Sequence, residues 1–230
     1  MQNLPAAEVY ADEIKYMPWG YLINELAAYC IASIPQNGSV VDLCCGTGSL
    51  LVMLQEKRPD ISYVGVDLES EYTAYASKAN PNIRFVTADV LEWESAEEYD
   101  TVLCTAGLHH LPFEKQEAFV KKISSLVKIG GFAIIADPYV DSFSNETERK
   151  IAGAKLGYEY LAETIRNKAT DEVIEAAIEV LRNDVFGIEY KNSISVARPV
   201  FEKYFSTVDM HKTWPKETTE YGDYYFILKR

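Results

Sequence analysis

Residues 40–50 combine two closely spaced glycines with a carboxylate at the end of an apolar run. The segment reads Val40-Val41-Asp42-Leu43-Cys44-Cys45-Gly46-Thr47-Gly48-Ser49-Leu50, which predicts a strand, a tight turn and the start of a helix. Gly46 and Gly48 would let a ligand approach the backbone closely. The free N–H groups at the helix start would offer hydrogen-bond donors and a partial positive charge. The turn therefore predicts a site for a small polar ligand.

A second carboxylate, Asp67, closes the next apolar run, Tyr63-Val64-Gly65-Val66-Asp67. It lies about 20 residues beyond Gly48, the separation expected of an acidic residue that binds the ribose hydroxyls of a nucleoside. A dinucleotide fingerprint would place its third glycine where this chain has Leu51. The expected ligand is therefore a nucleoside, with NAD the weaker choice.

Apolar runs and helical patterns alternate along the chain, and these elements would position the two carboxylates. The runs predict strands at residues 39–43, 62–67, 83–87, 99–104 and 131–136, and helix-compatible patterns occupy residues 50–58, 71–79 and 114–127. Gly130-Gly131 is expected to stop the last helix. The alternation is typical of an α/β protein with a doubly wound parallel sheet, which binds ligands at the carboxyl ends of its strands.

The residues of the glycine turn resemble a known family signature. Asp42-Leu43-Cys44-Cys45-Gly46-Thr47-Gly48 is similar to the D-x-G-x-G-x-G motif of class I S-adenosylmethionine-dependent methyltransferases, with Cys44 in place of the first glycine. Three later segments match that family in order: Asp67, Ala88-Asp89-Val90, and Tyr99-Asp100-Thr101-Val102-Leu103-Cys104-Thr105 leading to Leu108-His109-His110-Leu111. The resemblance covers roughly residues 25–140 and the C-terminal strands. It implies S-adenosylmethionine as the cofactor and a small-molecule acceptor methylated at nitrogen or oxygen.

The resemblance also implies which residues bind the cofactor. Asp67 would bind the ribose, Asp89 and Val90 would face the adenine, and Cys104 and Thr105 would line the methyl group and sulfur. The implied cofactor-binding set is Asp42, Cys44, Gly46, Gly48, Asp67, Leu68, Asp89, Val90, Cys104 and Thr105.

Two adjacent histidines, His109 and His110, follow the predicted fourth strand. Because the intrinsic pKa of histidine suits it to take a proton from an amine or hydroxyl, both are candidate catalytic or acceptor-orienting residues. The alternative is a hydrogen bond to loop backbone. Aromatic faces can hold apolar or cationic acceptors, and Tyr16, Trp19 and Tyr139 are the predicted substrate-binding residues.

Residues 141–205 are extra to the predicted core of this single domain, and they carry amphipathic helical patterns at 146–167 and 171–183. With an N-terminal cap region, residues 1–24, which includes a helix at 6–16, this insertion is expected to form a lid over the substrate. The alternatives are a dimerisation surface or a segment without a role. Residues 207–230 predict two more strands. The resemblance then implies a Rossmann-like, mostly parallel seven-stranded sheet with an antiparallel last strand.

Composition indicates a cytoplasmic enzyme that acts on small molecules. The net charge of −13 disfavours a nucleic-acid partner. No apolar stretch reaches the ~18 residues of a membrane span, and the first residues do not read as a signal peptide. A homodimer is possible. The chain shows no clear Ser-Tyr-Lys set, but an NAD-linked oxidoreductase and a noncatalytic nucleoside-binding module remain alternatives.

No metal site is expected. The four cysteines, at positions 30, 44, 45 and 104, lack a C-x-x-C spacing and are expected to be free thiols. The adjacent side chains of His109 and His110 are expected to point in different directions, which would prevent joint coordination of an ion.

Overall fold

A seven-stranded sheet with the order β3-β2-β1-β4-β5-β7-β6 organises the protein. The computed structural model describes residues 4–187 and 189–230. The strands are β1 (Ser39–Leu43), β2 (Ser62–Asp67), β3 (Arg84–Thr87), β4 (Tyr99–Thr105), β5 (Val127–Tyr139), β6 (Thr207–Trp214) and β7 (Gly222–Lys229). Strands β1 to β5 are parallel, and β7 lies antiparallel between β5 and β6. The predicted Rossmann-like, mostly parallel sheet with an antiparallel last strand is confirmed.

The direction of the strand order reverses next to β1. From β1 the chain proceeds outward through β2 and β3, and it then returns to place β4 on the other side of β1. In register, Asp42 of β1 pairs with Gly65 of β2 and Leu103 of β4. A crevice at the carboxyl ends of the strands, at such a reversal, is the usual ligand site of an open α/β sheet.

Helices cover both faces of the sheet, as the alternating pattern predicts. They are α1 (Ala7–Glu13), α2 (Trp19–Ser33), α3 (Ser49–Lys57), α4 (Ser70–Ala79), α5 (Phe113–Leu126), α6 (Glu146–Arg166), α7 (Asp171–Phe186) and α8 (Ile194–Tyr204). A short 3-10 turn, Leu108–His110, follows β4. One core packs Phe119 of α5 and Phe201 of α8 on the sheet, and the other packs Leu26 of α2 and Leu54 of α3.

Three elements differ from the sequence expectation. Helices α2 and α8 were not predicted, and β5 begins at Val127 rather than at Gly131. Gly130-Gly131 therefore lies inside the strand and does not stop the helix. The earlier start reflects pairing of Val127 with Tyr99 at the beginning of β4, so the helix before it ends at Leu126.

Three residues of the predicted 1–24 cap region, 1–3, and residue 188 of the predicted insertion lie outside the described residues. In the described part of the chain, no helix has both the length and the apolar character needed to cross a membrane.

Candidate active site

The turn after β1 is held in a left-handed backbone conformation at three of its five residues. The φ angles are 66° at Cys44, 53° at Gly46 and 77° at Gly48, which precedes the first turn of α3. The N–H groups of Cys44 and Cys45 both donate to the carbonyl of Val66, at 2.8 and 3.1 Å. The turn is therefore anchored on the end of β2, where the second carboxylate lies.

Asp67 joins the end of β2 to this turn. Its Oδ2 accepts a hydrogen bond of 2.7 Å from the N–H of Gly46, and its Oδ1 accepts one of 2.9 Å from the N–H of Glu69. A carboxylate offers about four acceptor sites, so each oxygen of Asp67 can still accept from a ribose hydroxyl.

Asp42 is buried below the turn, with only 2% of the residue exposed. Burial, and secondarily the charge of Asp67, raises the pKa of Asp42 to about 8. Its Oδ1 has no hydrogen-bond partner among residues 4–187 and 189–230. A buried hydrogen-bond acceptor without a partner is destabilising, and the ammonium group of a ligand would donate to this oxygen. This carboxyl therefore fits the amino-acid portion of S-adenosylmethionine.

A cavity of about 270 Å³ opens beside Asp67 and the turn. At its far end Asp89 accepts a 2.8 Å hydrogen bond from the N–H of Leu91, and the side chain of Leu68 is 64% exposed. An exposed leucine beside polar groups suits the face and edge of an adenine ring. Six of the ten cofactor-binding residues predicted from sequence line this cavity: Cys44, Gly46, Asp67, Leu68, Asp89 and Val90.

The other four predicted residues do not line this cavity, which is called the donor cavity because six predicted cofactor-binding residues line it. Asp42 and Thr105 line a small adjoining cavity of about 20 Å³. Gly48 precedes α3, and a Cβ there would lie 2.7 Å from the ring of Phe85. Cys104 is fully buried in β4. In the segment that follows β4, the described residues that line the donor cavity include Ala106 and His110, but neither Cys104 nor Thr105 of the strand lines it.

His109 is buried and anchored to the sheet. Its Nδ1 lies 2.8 Å from Oδ1 of Asp137, and its backbone N–H donates to Oδ2 of the same carboxyl at 3.0 Å. Burial lowers the pKa of His109 well below its usual value, and burial raises the pKa of Asp137 to about 8. The neutral ring and the carboxyl together hold the loop after β4 in place.

His110 faces the cavity beside Glu189. The side chain of His110 is 42% exposed, and its Nδ1 lies 3.1 Å from Oε2 of Glu189. Burial lowers the pKa of His110, but the charge of Glu189 and its hydrogen bond raise it, and the net shift is upward. The same pair lowers the pKa of Glu189 to about 2 against the opposing effect of burial. Glu189 thus holds one ring nitrogen of His110 and leaves Nε2 to exchange a proton.

The two histidine rings do not diverge as the sequence expectation required. Their centroids lie 4.1 Å apart, and His109, His110 and Glu189 offer three possible metal-ligand atoms within 4.8 Å of one another. The ammonium of Lys191 opposes a cation there, because its charge lowers the pKa of both rings. The absence of a metal stays a prediction.

His110 also lines a second cavity, of about 100 Å³. Its walls include Glu13 and Trp19 near the N-terminus, Tyr160 of α6, Asp184 of α7 and Lys191. Of the three predicted substrate-binding residues, only Trp19 lines it. Tyr16 packs against the cluster around Met17, and it does not itself line the cavity, although Met17 does.

Tyr139, the third predicted substrate-binding residue, is buried in the core. Its ring packs edge-on against Tyr224 and Phe226, and only 1% of the residue is exposed.

Sequence reasoning missed several buried charged residues of the second cavity and its surroundings. Lys191 donates to Asp184 at 2.6 Å, and each side chain is at most 5% exposed. Asp137, Glu189 and Glu13 are likewise buried. No local pattern marks these residues, because they come together only when α1 and the segment after α7 fold back over the sheet.

Comparisons with known proteins agree with this geometry. Residues 40–131 match a family model described as a methyltransferase domain. The chain is 25% identical over 180 residues to the trans-aconitate 2-methyltransferase of Acidovorax sp. (strain JS42), covering 76% of this chain and 69% of that relative. It is 33% identical over 95 residues to the enzyme of the same name from Escherichia coli O17:K52:H18 (strain UMN026 / ExPEC), covering 41% of this chain and 37% of that relative.

A solved structure shares the fold. Magnesium protoporphyrin IX methyltransferase from Synechocystis PCC 6803 with bound S-adenosylhomocysteine aligns with a TM-score of 0.62 and 18% sequence identity. The alignment covers 93% of this chain and 84% of that chain. The sheet order, the glycine turn and these matches support one class of enzyme, the class I S-adenosylmethionine-dependent methyltransferases. They are consistent with S-adenosylmethionine as the cofactor.

Proposed function

We propose that the enzyme methylates nitrogen or oxygen of a small-molecule acceptor and releases S-adenosylhomocysteine. The proposal depends on one observation: Tyr10, Ala106 and His110 line both the donor cavity and the second cavity. A methyl group could pass between the cavities across this shared wall. The second cavity is accordingly assigned to the acceptor and is called the acceptor cavity.

The chain would contribute mainly by positioning. Asp42, Asp67 and the turn at Gly46 bind and orient the donor, whose sulfonium supplies an activated methyl group when bound. An attacking atom must lie roughly 3 to 3.5 Å from that methyl carbon, in line with the sulfur. The acceptor cavity holds the acceptor on the opposite side of the wall from the donor and limits the access of water.

His110 is proposed as the proton acceptor. Its Nδ1 pairs with Glu189, so Nε2 can take a proton from an acceptor amine or hydroxyl in the cavity that the ring lines. His109 is assigned a positioning role through Asp137.

The insertion at residues 141–205 and the N-terminal region at residues 1–24 are proposed to form the substrate lid. The support is that α1, α6 and α7 all contribute to the acceptor cavity, through Glu13, Tyr160 and Asp184 respectively. Ser142 to Asn145, just before α6, is the proposed hinge.

The charges of the acceptor cavity bear on the acceptor's identity. An anion such as trans-aconitate, for which the relatives are named, would need a free cation in the cavity. Among the described residues that line it, Lys191 is the only lysine or arginine, and its ammonium bonds to Asp184. The cavity therefore favours a neutral or cationic acceptor, consistent with the net charge of −13.

Two measurements test the proposed function. Isothermal titration should give much tighter binding of S-adenosylhomocysteine than of NAD, and comparable affinities would contradict the donor site. A screen of small acceptors with radiolabelled S-adenosylmethionine should then yield labelled product. Donor and product binding without any turnover would instead favour a noncatalytic nucleoside-binding module. A cytoplasmic location, the absence of a nucleic-acid partner and a possible homodimer stay proposals, which fractionation, nucleic-acid titration and light scattering would test.

A further inference from the structure

Glu13, the last residue of α1, places a carboxyl group in the wall of the acceptor cavity. The residue is only 6% exposed. Burial raises the pKa of Glu13 to about 8, and a hydrogen bond from Trp19 opposes that shift. The indole thus fixes the carboxyl but does not supply the positive charge that would compensate its ionised form.

No lysine, arginine or histidine of residues 4–187 and 189–230 forms an ion pair with Glu13 within 4.0 Å. Lys191 pairs with Asp184, and Glu189 lies 3.1 Å from Nδ1 of His110. With His110 neutral, as a proton acceptor must be, the acidic groups around the cavity outnumber the cations. A buried carboxylate is costly unless a cation pairs with it.

Aromatic rings flank this carboxyl. Tyr10 and Trp19 both line the cavity, with ring centroids 5.9 Å apart, and Tyr10 stacks on Tyr72 at 4.8 Å. The ring face of tryptophan or tyrosine attracts a cation within about 6 Å of its centroid. A carboxylate beside two such rings provides the chemistry that binds an ammonium group.

We propose that the methyl acceptor is an amine that enters as its ammonium ion, with Glu13 as the counter-ion and the rings of Tyr10 and Trp19 beside it. This inference rests on the proposed function of the two cavities and names the substrate class. Glu13 is a binding residue, and the same nitrogen has to reach Nε2 of His110, which lines this cavity together with Glu13.

The charges and atoms of the reaction then balance. The ammonium gives one proton to Nε2 of His110, and the freed electron pair on nitrogen forms the new C–N bond. The C–S bond of the sulfonium donor breaks with its electrons going to sulfur, so the positive charge passes from sulfur to the methylated nitrogen. Glu13 remains paired with a cation in substrate and product, and His110 returns its proton to solvent.

The first test compares acceptors that differ only in their polar group. Purified enzyme and radiolabelled S-adenosylmethionine are incubated with a panel of amines that includes 2-phenylethylamine and n-butylamine. Parallel reactions contain the matched alcohols 2-phenylethanol and n-butanol and the carboxylates 3-phenylpropionate and pentanoate. The expected result is labelled product from amines, at least 10-fold above the matched alcohols and carboxylates. Preferential labelling of alcohols or carboxylates, or no labelling of any amine, would overturn the proposal.

The second test removes the charge of Glu13 while keeping its shape. Glu13→Gln should raise KM for the labelled amine at least 10-fold, with thermal stability and S-adenosylhomocysteine affinity unchanged. Glu13→Asp should recover part of the loss, and Glu8→Gln, on the exposed side of the same helix, should behave as wild type. An unchanged KM in Glu13→Gln would contradict the assignment.

The two failures are distinguishable. If the wild-type protein does not bind S-adenosylhomocysteine, the proposed donor site itself is wrong. Normal binding of that product with labelling confined to alcohols or carboxylates would refute only the amine class.

Discussion

The carboxylate of Asp67 accepts a 2.7 Å hydrogen bond from the backbone N–H of Gly46, so the acid of β2 and the turn after β1 form one unit. Because of this contact, Asp67, the residue proposed to bind the ribose, also fixes the backbone that would hold the rest of the donor. The donor site therefore responds as a whole to changes at either residue.

Replacing Asp67 with alanine should weaken S-adenosylhomocysteine binding. Loss of charged hydrogen bonds costs ~1 to 3 kcal/mol, which corresponds to about 5- to 150-fold in affinity. Isothermal titration measures this affinity, and Glu71→Ala, on the exposed face of α4, is the control. Wild-type affinity in Asp67→Ala would place the ribose elsewhere.

Gly46→Ala tests whether the turn needs a close approach as well as a left-handed backbone. At Gly46 φ is 53°, and an added Cβ would lie 2.8 Å from the ring of Tyr10. Gly130→Ala is the matched control, because φ there is 84° and no atom lies within 4 Å of the added Cβ.

Both glycine substitutions should lower stability by ~1 to 2 kcal/mol for the left-handed conformation. Only Gly46→Ala should also weaken S-adenosylhomocysteine binding, by about 10-fold or more. Urea denaturation and titration measure the two effects. Equal product affinity in both variants would show that the turn does not contact the donor.

The pH profile should report on His110. A base acts in its neutral form, so kcat/KM should rise with pH as His110 loses its proton. Because Glu189 raises the pKa of His110, the rise should lie above the usual histidine value of 6.5 and move to lower pH in Glu189→Gln.

His110→Ala should lower kcat about 100-fold or more with little change in product affinity, as expected for loss of a general base. His211→Gln, on β6, is the control. Full activity in His110→Ala, or an unmoved profile in Glu189→Gln, would return His110 to the alternative of a loop-stabilising residue.

The local sequence predicts the parallel strands of the sheet but does not predict helix α2. The five parallel strands were predicted because their β-branched runs end in polar residues. The residues that resemble the family signature lie at those ends. The six buried residues of helix α2 recur at helical spacing and form one face. The helix escaped prediction because less buried positions, such as Tyr21, Tyr29 and Ile31, are also apolar, which blurs the contrast between the two faces.

The acceptor side was the least predictable. Glu13 and Glu189 are more than 170 residues apart, yet both lie near His110 because the N-terminal helix and the insertion fold onto the same end of the sheet. Periodicity places a residue on an element, but contacts between distant elements depend on tertiary packing. The aromatic residues Tyr16 and Tyr139 were predicted for the site by type and proximity. Packing buries Tyr139 in the core, and Tyr16 lies beside the cavity-lining residue Met17 without lining the cavity itself.

The buried pair of Lys191 and Asp184 should be important for stability. Removing one partner of a buried pair typically costs 3 to 5 kcal/mol, so Lys191→Met should lower the free energy of unfolding by about that amount at pH 7. Burial already raises the pKa of Asp184 above its usual value. The destabilisation caused by Lys191→Met should therefore decrease as the pH falls toward the ordinary carboxyl pKa, because Asp184 is then protonated in the unfolded chain as well.

Urea denaturation of a double-mutant cycle with Asp184→Asn measures this coupling. The double variant should recover much of the loss, whereas Arg198→Met, which breaks the exposed pair with Glu202, should change little. Additive losses in the cycle would contradict a coupled pair.

A crystal structure with S-adenosylhomocysteine would show whether the product occupies the donor cavity. The ribose should lie on Asp67, the amino-acid portion at the Gly46 turn and Asp42, and the sulfur should face Ala106 and His110 at the wall shared with the acceptor cavity. Product bound outside the donor cavity, or with its sulfur turned away from that wall, would show that the two cavities do not serve methyl transfer.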